Sequence, residues 1–598
     1  MARFGSFEEP TKDMKGALRR LARMFRSELL RIIGVLVLTL VGTLAMLLTP
    51  KLLGDATNVV VDGIASGSGV DFSSLGRLSL IIVGLYALHA VANFSGGALA
   101  RISVQNLGSR LRRDAQQKID RLPLAYIDKQ ARGDLLSRVT NDIDNIVQTL
   151  MQTLGQSFYA LYMVIGVLSM MFYLSWSLAL WSLFVVPFGL LAITRILKRS
   201  KPAFREQWKR TGDVSTIIEQ TFTGHDVVAI YGMEDDINVA FDDANEKLFA
   251  AGFRGYFLSM LAQPLMGLVS NLSFVVIAVV GGIQVLHGTL TIGGIQAFIQ
   301  YSRQLNNPVA MIASMANMLQ SAAASSERLF DFLDTADISA DVSEQLPPFG
   351  ERGTIEFRDV DFSYEPGKPV IQSLNLKVVR GSQVAIVGPT GAGKTTLVNL
   401  LMRFYNIDSG AICIDDVDIR SYSRQSLRAR TGMVLQDTWL FDGTIAENIG
   451  FGAKNATFDD VVAAAQATGV DHLIRQLPDG YNTHIDDNDG TLSTGEKQLI
   501  TIARAYLADP DILILDEATS SVDTRTEMLV QHAMSELRQG RTSFVIAHRL
   551  STIRDADIIL VMVNGNVVEQ GDHHQLMASR GAYYDLYQAQ FTGSSEAG

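Results

Sequence analysis

The run Gly388-Pro389-Thr390-Gly391-Ala392-Gly393-Lys394-Thr395 fits the pattern G-x-x-x-x-G-K-[ST]. It follows a β-like run, Gln383 to Val387, and precedes an apolar helix-like run, Leu397 to Phe404, which is the context the pattern requires. Glycines at these places let backbone N–H groups converge on phosphate oxygens. Lys394 would add a positive charge at the β and γ phosphates, and the Thr395 hydroxyl could ligate Mg²⁺. A glycine-rich turn without a nucleotide is the competing reading, and the flanking strand and helix weigh against it. Far downstream, Ile512-Leu513-Ile514-Leu515 reads as a buried strand that delivers Asp516 and Glu517 at its C-terminal end, the edge where α/β sheets place ligands. Asp516 suits Mg²⁺ coordination, and Glu517 suits polarising or deprotonating a water held in line for attack on phosphorus. A solvated Asp-Glu pair ending a strand is the bland alternative, which this pair alone does not exclude.

The elements that must position these residues occupy only part of the chain. At 598 residues with 47% hydrophobic side chains, two or more domains are expected, one of them in lipid. The net charge is −11, the acidic residues concentrate in the second half, and Arg-rich stretches in the first half flank long apolar runs, a distribution that argues against a nucleic-acid partner. The single cysteine, Cys413, rules out an intrachain disulfide or a cysteine-based metal site. Met1 to Pro10 carries no basic-then-apolar signal, so no cleaved leader is expected.

Ile32 to Thr49 is an uncharged apolar run ending at Pro50, close to the ~20 residues that cross a bilayer. Leu78 to Ala100, interrupted only by His89, makes a second span, and Arg101 opens a charged stretch to about Asp144. Ile146 to Thr194 is uncharged and fits two spans turning near Leu174 to Ser177; Arg195 to Arg254 is charged again. Gly255 to Ser302, with a turn at His287 and Gly288, and Gln304 to Ser326 past the lone Arg303 bring the expected count to six spans. Arg19, Arg20, Arg23, Arg26 and Arg31 before the first span, against a loop from Lys51 to Arg77 rich in Gly, Ser and Asp, predict cytoplasmic N- and C-termini. Asp13 to Arg31, with Leu18, Leu21, Met24 and Phe25 at helical spacing, reads either as a helix along the membrane surface or as an extension of the first span. The expected architecture is a six-helix α transmembrane domain over 1–333 with two long cytoplasmic loops, a linker over 334–353 containing Pro347 and Pro348, and an α/β P-loop domain over 354–598.

Over nearly its whole length the sequence resembles the ATP-binding cassette family, and within it the exporter half-transporters. The resemblance implies that Tyr364, in Phe362-Ser363-Tyr364, stacks on adenine and that Gln436, in Val434-Leu435-Gln436-Asp437, senses the γ-phosphate and Mg²⁺. Ser520-Ser521-Val522-Asp523 resembles the D-loop, and His548, in Ala547-His548-Arg549, the switch histidine. The implied catalytic set is Glu517, His548 and Gln436, with Thr395, Gln436 and Asp516 on Mg²⁺. ATP would be held by Tyr364, Gly388 through Lys394, Thr395 and Thr396, and by Ser493 and Gly495 of the signature. In the first half, Gly133-Asp134-Leu135-Leu136-Ser137-Arg138 with Asn141-Asp142 resembles the first cytoplasmic loop, and Glu219 to Gly224 falls where the second loop's coupling helix is expected.

The family signature, Leu-Ser-Gly-Gly-Gln, stands here as Leu492-Ser493-Thr494-Gly495-Glu496. In the family each ATP is sandwiched between one chain's P-loop and the other's signature, so Thr494 and Glu496 would weaken the partner's site, by bulk and by charge near phosphate. With acidic Asp486-Asp487-Asn488-Asp489 ahead of it, this imbalance resembles the heterodimeric bacterial multidrug exporters and implies a different half-transporter as partner, with this chain supplying the catalytic glutamate. The implied function is ATP-driven export of small hydrophobic or amphipathic molecules across the plasma membrane by alternating access. A homodimeric lipid flippase and a dedicated peptide or siderophore exporter share every ATPase motif. Substrate contacts are expected on spans five and six, among Met260, Gln263, Met266, Asn271, Met311, Met315 and Met318, most of which also suit plain packing. Arg303 adds a charge that is costly at depth unless it faces water, a partner or a ligand, the other reading being a place near the outer membrane surface.

Overall fold

The computed structural model describes residues 13–339, 341, 353–436, 438–485, 492–516, 524–547 and 550–589. By internal contacts the chain divides into two units, one of Met1–Arg121 with Gln130–Ala336, the other of Leu122–Lys129 with Asp337–Gly598.

The first unit is helical. Its helices are α1 (Met14–Met24), α2 (Leu29–Ala65), α3 (Phe72–Ile119), then, after α4 (Leu124–Asp128) of the other unit, α5 (Arg132–Val139), α6 (Asn141–Leu174) and α7 (Trp176–Thr223). They continue with α8 (His225–Tyr231), α9 (Glu234–Met260), α10 (Ala262–Leu286) and α11 (Ile292–Leu333). Among the described residues, four helical stretches are long and apolar enough to cross a membrane: Met14–Ala65, Phe72–Ile119, Gly133–Leu174 and Glu234–Leu286. The fourth and sixth expected spans fall on α7 and α11, helices of 48 and 42 residues outside that set. The turns expected after Leu174 and at His287 are where α6 and α10 end.

Two expectations are corrected. The helix that carries the first expected span does not stop at Pro50: α2 runs through it to Ala65. A proline inside a helix removes one N–H and crowds the preceding turn, and here the buried Tyr301 hydroxyl of α11 donates to the Leu47 carbonyl at 2.6 Å beside that break. The charged stretches are not loops in the ordinary sense but helical continuations: α3, with 48 residues, is about 72 Å long at ~1.5 Å per residue, more than twice a hydrocarbon core of ~30 Å. Leu47, Met163, Val167, Met171, Ile277, Phe298 and Tyr301 form one buried cluster. Leu80, Val83, Val91 and Phe94 on α3 are exposed, an apolar outer face suited to lipid.

In the second unit, β1 (Ile355–Glu365), β2 (Lys368–Val378), β4 (Ser409–Ile414) and β5 (Val417–Asp418) form an antiparallel sheet ordered β2-β1-β4-β5. A six-stranded sheet takes β3 (Gln383–Val387), β6 (Thr431–Val434), β9 (Ile512–Asp516), β10 (Thr542–Ile546), β11 (Ile558–Val563) and β12 (Asn566–Gly571) in the order β12-β11-β3-β10-β9-β6. All its pairings are parallel except β11 with β12. The short strands β7 (Gly443–Thr444) and β8 (His484–Ile485) pair separately. Strands buried on both faces read as near-continuous apolar runs, and alternation sorts them: Val384, Ile386, Ile512, Ile514, Phe544 and Ile546 enter one core, Ala385, Val387, Leu513, Leu515 and Val545 the other. This two-sided burial fixes the register of β3, β9 and β10, and so fixes where their carboxyl ends release the chain.

Candidate functional site

At the carboxyl edge of β3 the chain turns through Gly388 to Gly393 into α12 (Lys394–Leu401). Glycine is demanded at two points of that turn. Gly388 has φ +153°, and a Cβ there would stand 2.2 Å from the Met562 carbonyl oxygen of β11. Gly393 has φ +97°, which side chains resist, and lies 3.3 Å by the same measure from the Val370 carbonyl. The Lys394 ammonium folds back over the turn and donates to the carbonyls of Gly388 (2.8 Å) and Pro389 (3.1 Å). Burial pushes its pKa below the ordinary lysine value, and the Asp516 carboxylate, at the end of β9 with β10 between it and β3, pulls the other way.

A cavity of about 460 Å³ at this edge is lined by Tyr364, Val370, residues 390–396, Gln436, Asp516 and Ile546. Residues far apart in sequence, singled out for phosphate, metal and base contacts, are thus brought together. Tyr364 closes one side: its hydroxyl lies 3.1 Å from Thr396 Oγ1, and its ring packs edge-on against Phe362 (4.8 Å) and Tyr405 (4.9 Å). The donor set fits a nucleoside triphosphate, with amide groups at a helix N-terminus, one cation and an aromatic at the rim. Among the described residues no group of three or more His, Cys, Asp or Glu could hold a metal. Thr395, Gln436 and Asp516 would offer one carboxylate and two neutral oxygens, the sparse set that Mg²⁺ accepts when phosphates and water complete its shell. Glu517, His548, Ser520 to Asp523, Asp437 and Asp486 to Asp489 lie outside the described residues.

Ser493 and Gly495 do not line this cavity. Ser493 caps the helix Thr494–Leu507 in a reciprocal capping box. Its backbone N–H (2.7 Å) and its hydroxyl (2.8 Å) both donate to the Glu496 carboxylate. Glu496 therefore consumes donors that the signature would otherwise offer, a consequence beyond the charge argument drawn from sequence.

The residues that resemble the two cytoplasmic loops lie on helices of the first unit. Asp134 to Arg138 lie on α5, and Asp142, buried on α6, pairs with Arg328 of α11 at 2.5 Å, all inside the first unit. The loop segment that groups with the nucleotide unit is Leu122–Lys129, where Asp128 accepts a hydrogen bond from the Tyr405 hydroxyl. Burial and that carboxylate raise the Tyr405 phenol well above the usual range. Sequence reasoning missed Tyr405; the aromatic pair Phe404-Tyr405 directly after the P-loop helix was the available signal. Glu219 to Gly224 ends α7, and the short helix of that loop, α8, begins one residue later. Of the expected substrate residues, Met315 is buried and its sulfur accepts from Ser157, whereas Met260 is exposed. Arg303 is exposed on α11.

A phosphate cradle at the edge of a parallel sheet, carried behind helices of membrane length, defines a membrane protein that runs on a nucleotide. The chain belongs to the ABC transporters: residues 32–309 match the ABC transporter transmembrane region and residues 371–520 the ABC transporter domain. It is 47% identical to a fatty acid ABC transporter ATP-binding/permease protein of Mycobacterium tuberculosis, with 97% of each chain covered. It is 36% identical to an ATP-dependent lipid A-core flippase of Syntrophus aciditrophicus, covering 86% of this chain and 85% of that one. It is 34% identical to a probable multidrug resistance ABC transporter ATP-binding/permease protein of Bacillus subtilis, covering 85% and 76%. The protein is a half-transporter of the exporter type, an ATP hydrolase coupled to transport across a membrane.

Proposed function

We propose that this chain exports hydrophobic or amphipathic molecules, lipid-like ones in particular, as the half of a heterodimer that carries the catalytic glutamate. In this reading six spans place both termini in the cytoplasm, and ATP with Mg²⁺ occupies the cavity lined by Lys394, Thr395, Gln436 and Asp516. Glu517 directs water at the γ-phosphate and His548 stabilises the charge that develops there, roles resting on the family resemblance and on their positions after β9 and β10. Closure of two nucleotide domains over ATP turns the membrane helices outward, and hydrolysis resets them. The relatives' names, fatty acid transporter, lipid A-core flippase and probable multidrug resistance transporter, support a lipid-like or hydrophobic cargo for this chain.

The observation that carries the heterodimer is the capping box. With Ser493 donating both its N–H and its hydroxyl to Glu496, this signature presents fewer donors to a partner's phosphates and adds a negative charge beside them. The chain's own P-loop keeps its lysine and its Asp516, so it needs a sound signature from a different subunit. Native mass spectrometry of the tagged protein, extracted gently from its host, tests this. A one-to-one complex with a second half-transporter is expected; recovery only as a dimer of itself contradicts the reading.

A further inference from the structure

Away from the nucleotide unit, the first unit holds a cavity of about 330 Å³ between α2, α3 and α6. On α3 its lining recurs at His89, Asn93, Gly96, Gly97, Ala100 and Arg101, one face of the helix spread over about 18 Å at ~1.5 Å per residue. The small residues at 96, 97 and 100 keep that face low. From α6 comes Gly155, where a Cβ would meet nothing within 4 Å, so the space beside it is open. Thr39, Gln156 and Tyr159 add neutral polar groups, and no carboxylate lines the cavity. Arg101 is its one permanent charge, and among the described residues no acidic side chain pairs with it. His89 is committed elsewhere by one nitrogen, its Nδ1 lying 2.9 Å from the Gly42 carbonyl.

Arg101 also ends the uncharged stretch of α3 that begins at Leu78, which sets its guanidinium level with lipid headgroups, while Phe94 and Val91 offer exposed apolar surface about two to three turns deeper. An unpaired arginine in a polar recess of this kind favours an anion over a cation, and a planar guanidinium suits a carboxylate or phosphate through paired donors. We propose that this cavity is the headgroup site for an anionic membrane amphiphile, with Arg101 binding the carboxylate or phosphate and the chain lying along the apolar face of α3. The inference rests on the export reading and names the charge class of its cargo.

Four probes with one acyl chain test it: oleate, oleyl phosphate, oleyl alcohol and oleylamine, each titrated against the purified full complex in phosphatidylcholine nanodiscs. The wild type is expected to bind both anions at least roughly tenfold more tightly than the alcohol, because only the anions can form a charge-assisted hydrogen bond with Arg101. The amine should bind most weakly, and the tighter of the two anions identifies the headgroup. Arg101→Gln should erase the anion preference, Arg101→Lys should keep most of it, and Gly155→Leu should weaken both anions by filling the recess. Equal binding of oleate and oleyl alcohol by the wild type, or an anion preference that survives Arg101→Gln, overturns the proposal. ATP-driven transport of these amphiphiles without anion preference would sink this site and leave the export reading standing. Arg101-dependent anion binding without ATP-driven movement of any probe would do the reverse.

Discussion

Lys394 shows how much a single side chain is asked to do before any nucleotide arrives. It is buried, its ammonium holds the turn it belongs to through Gly388 and Pro389, and Asp516 offsets part of the cost of keeping it charged there. The backbone beneath it is equally constrained. Gly388→Ala would drive a Cβ to 2.2 Å from the Met562 carbonyl, a contact no side-chain motion can relieve. Displacing β3 from β11 to make room should cost about 1–3 kcal/mol. The expected result is a lower unfolding temperature together with at least a tenfold loss of ATP affinity, read by differential scanning fluorimetry with and without ATP. Wild-type affinity in that variant would mean that the turn is more pliable than its geometry implies. The residue scale is also where the sequence was most readable, because the P-loop pattern constrains type and spacing together. The capping box was less so: Ser493 followed three positions later by Glu496 is a helix-start signature, but its spelling was weighed only as a departure from a phosphate-binding motif.

Among the elements, α1 illustrates what periodicity can and cannot decide. Leu18, Leu21 and Phe25 at helical spacing predicted a helix but left open whether it lay on the membrane or prolonged the first span. It is a separate helix with Ala17 and Leu21 buried, joined to α2 by a tighter turn, Phe25–Glu28. It is tied to α11 by the backbone N–H of its N-cap Asp13, which donates to Glu327 at 3.3 Å, and by Arg20, which pairs with Asp334 at the end of α11 at 2.5 Å and lies over the Phe330 ring at 4.2 Å. That hydrogen bond holds the Asp334 carboxyl below the usual carboxylate value. The sign follows: the pair's contribution is complete above the ordinary aspartate pKa of about 3.9 and is lost as pH falls through the depressed native value. Both partners are well exposed, so the effect is small. Asp334→Asn at neutral pH should raise amide exchange over residues 14–24 by about two- to fivefold, and acidification should loosen the wild type toward the variant. Exchange that is unchanged by the substitution would assign the anchoring of α1 to its apolar face and the Asp13–Glu327 bond. The same scale explains the ends: Pro50 closes the uncharged run before Lys51, yet the helix α2 continues through it to Ala65.

For the whole molecule, the two-part organisation was legible because lipid and an α/β sheet impose different apolar patterns, long uncharged runs in one and short alternating strands in the other. What the sequence hid were long-range groupings. Nothing local marks Leu122–Lys129 as belonging with the nucleotide unit, or Arg101 as the charge of a recess shared with α2 and α6. Those depend on which helices pack together, and a uniformly apolar span gives few clues to its neighbours. The central claim is that nucleotide hydrolysis on this chain drives amphiphile movement. Its most direct test is reconstitution of the purified complex into proteoliposomes, with ATP-dependent accumulation of an amphiphile measured for the wild type and for Glu517→Gln. The wild type should accumulate the amphiphile only with ATP, and the variant should lose nearly all hydrolysis and accumulation while still binding ATP. Hydrolysis and transport retained in Glu517→Gln would contradict that claim.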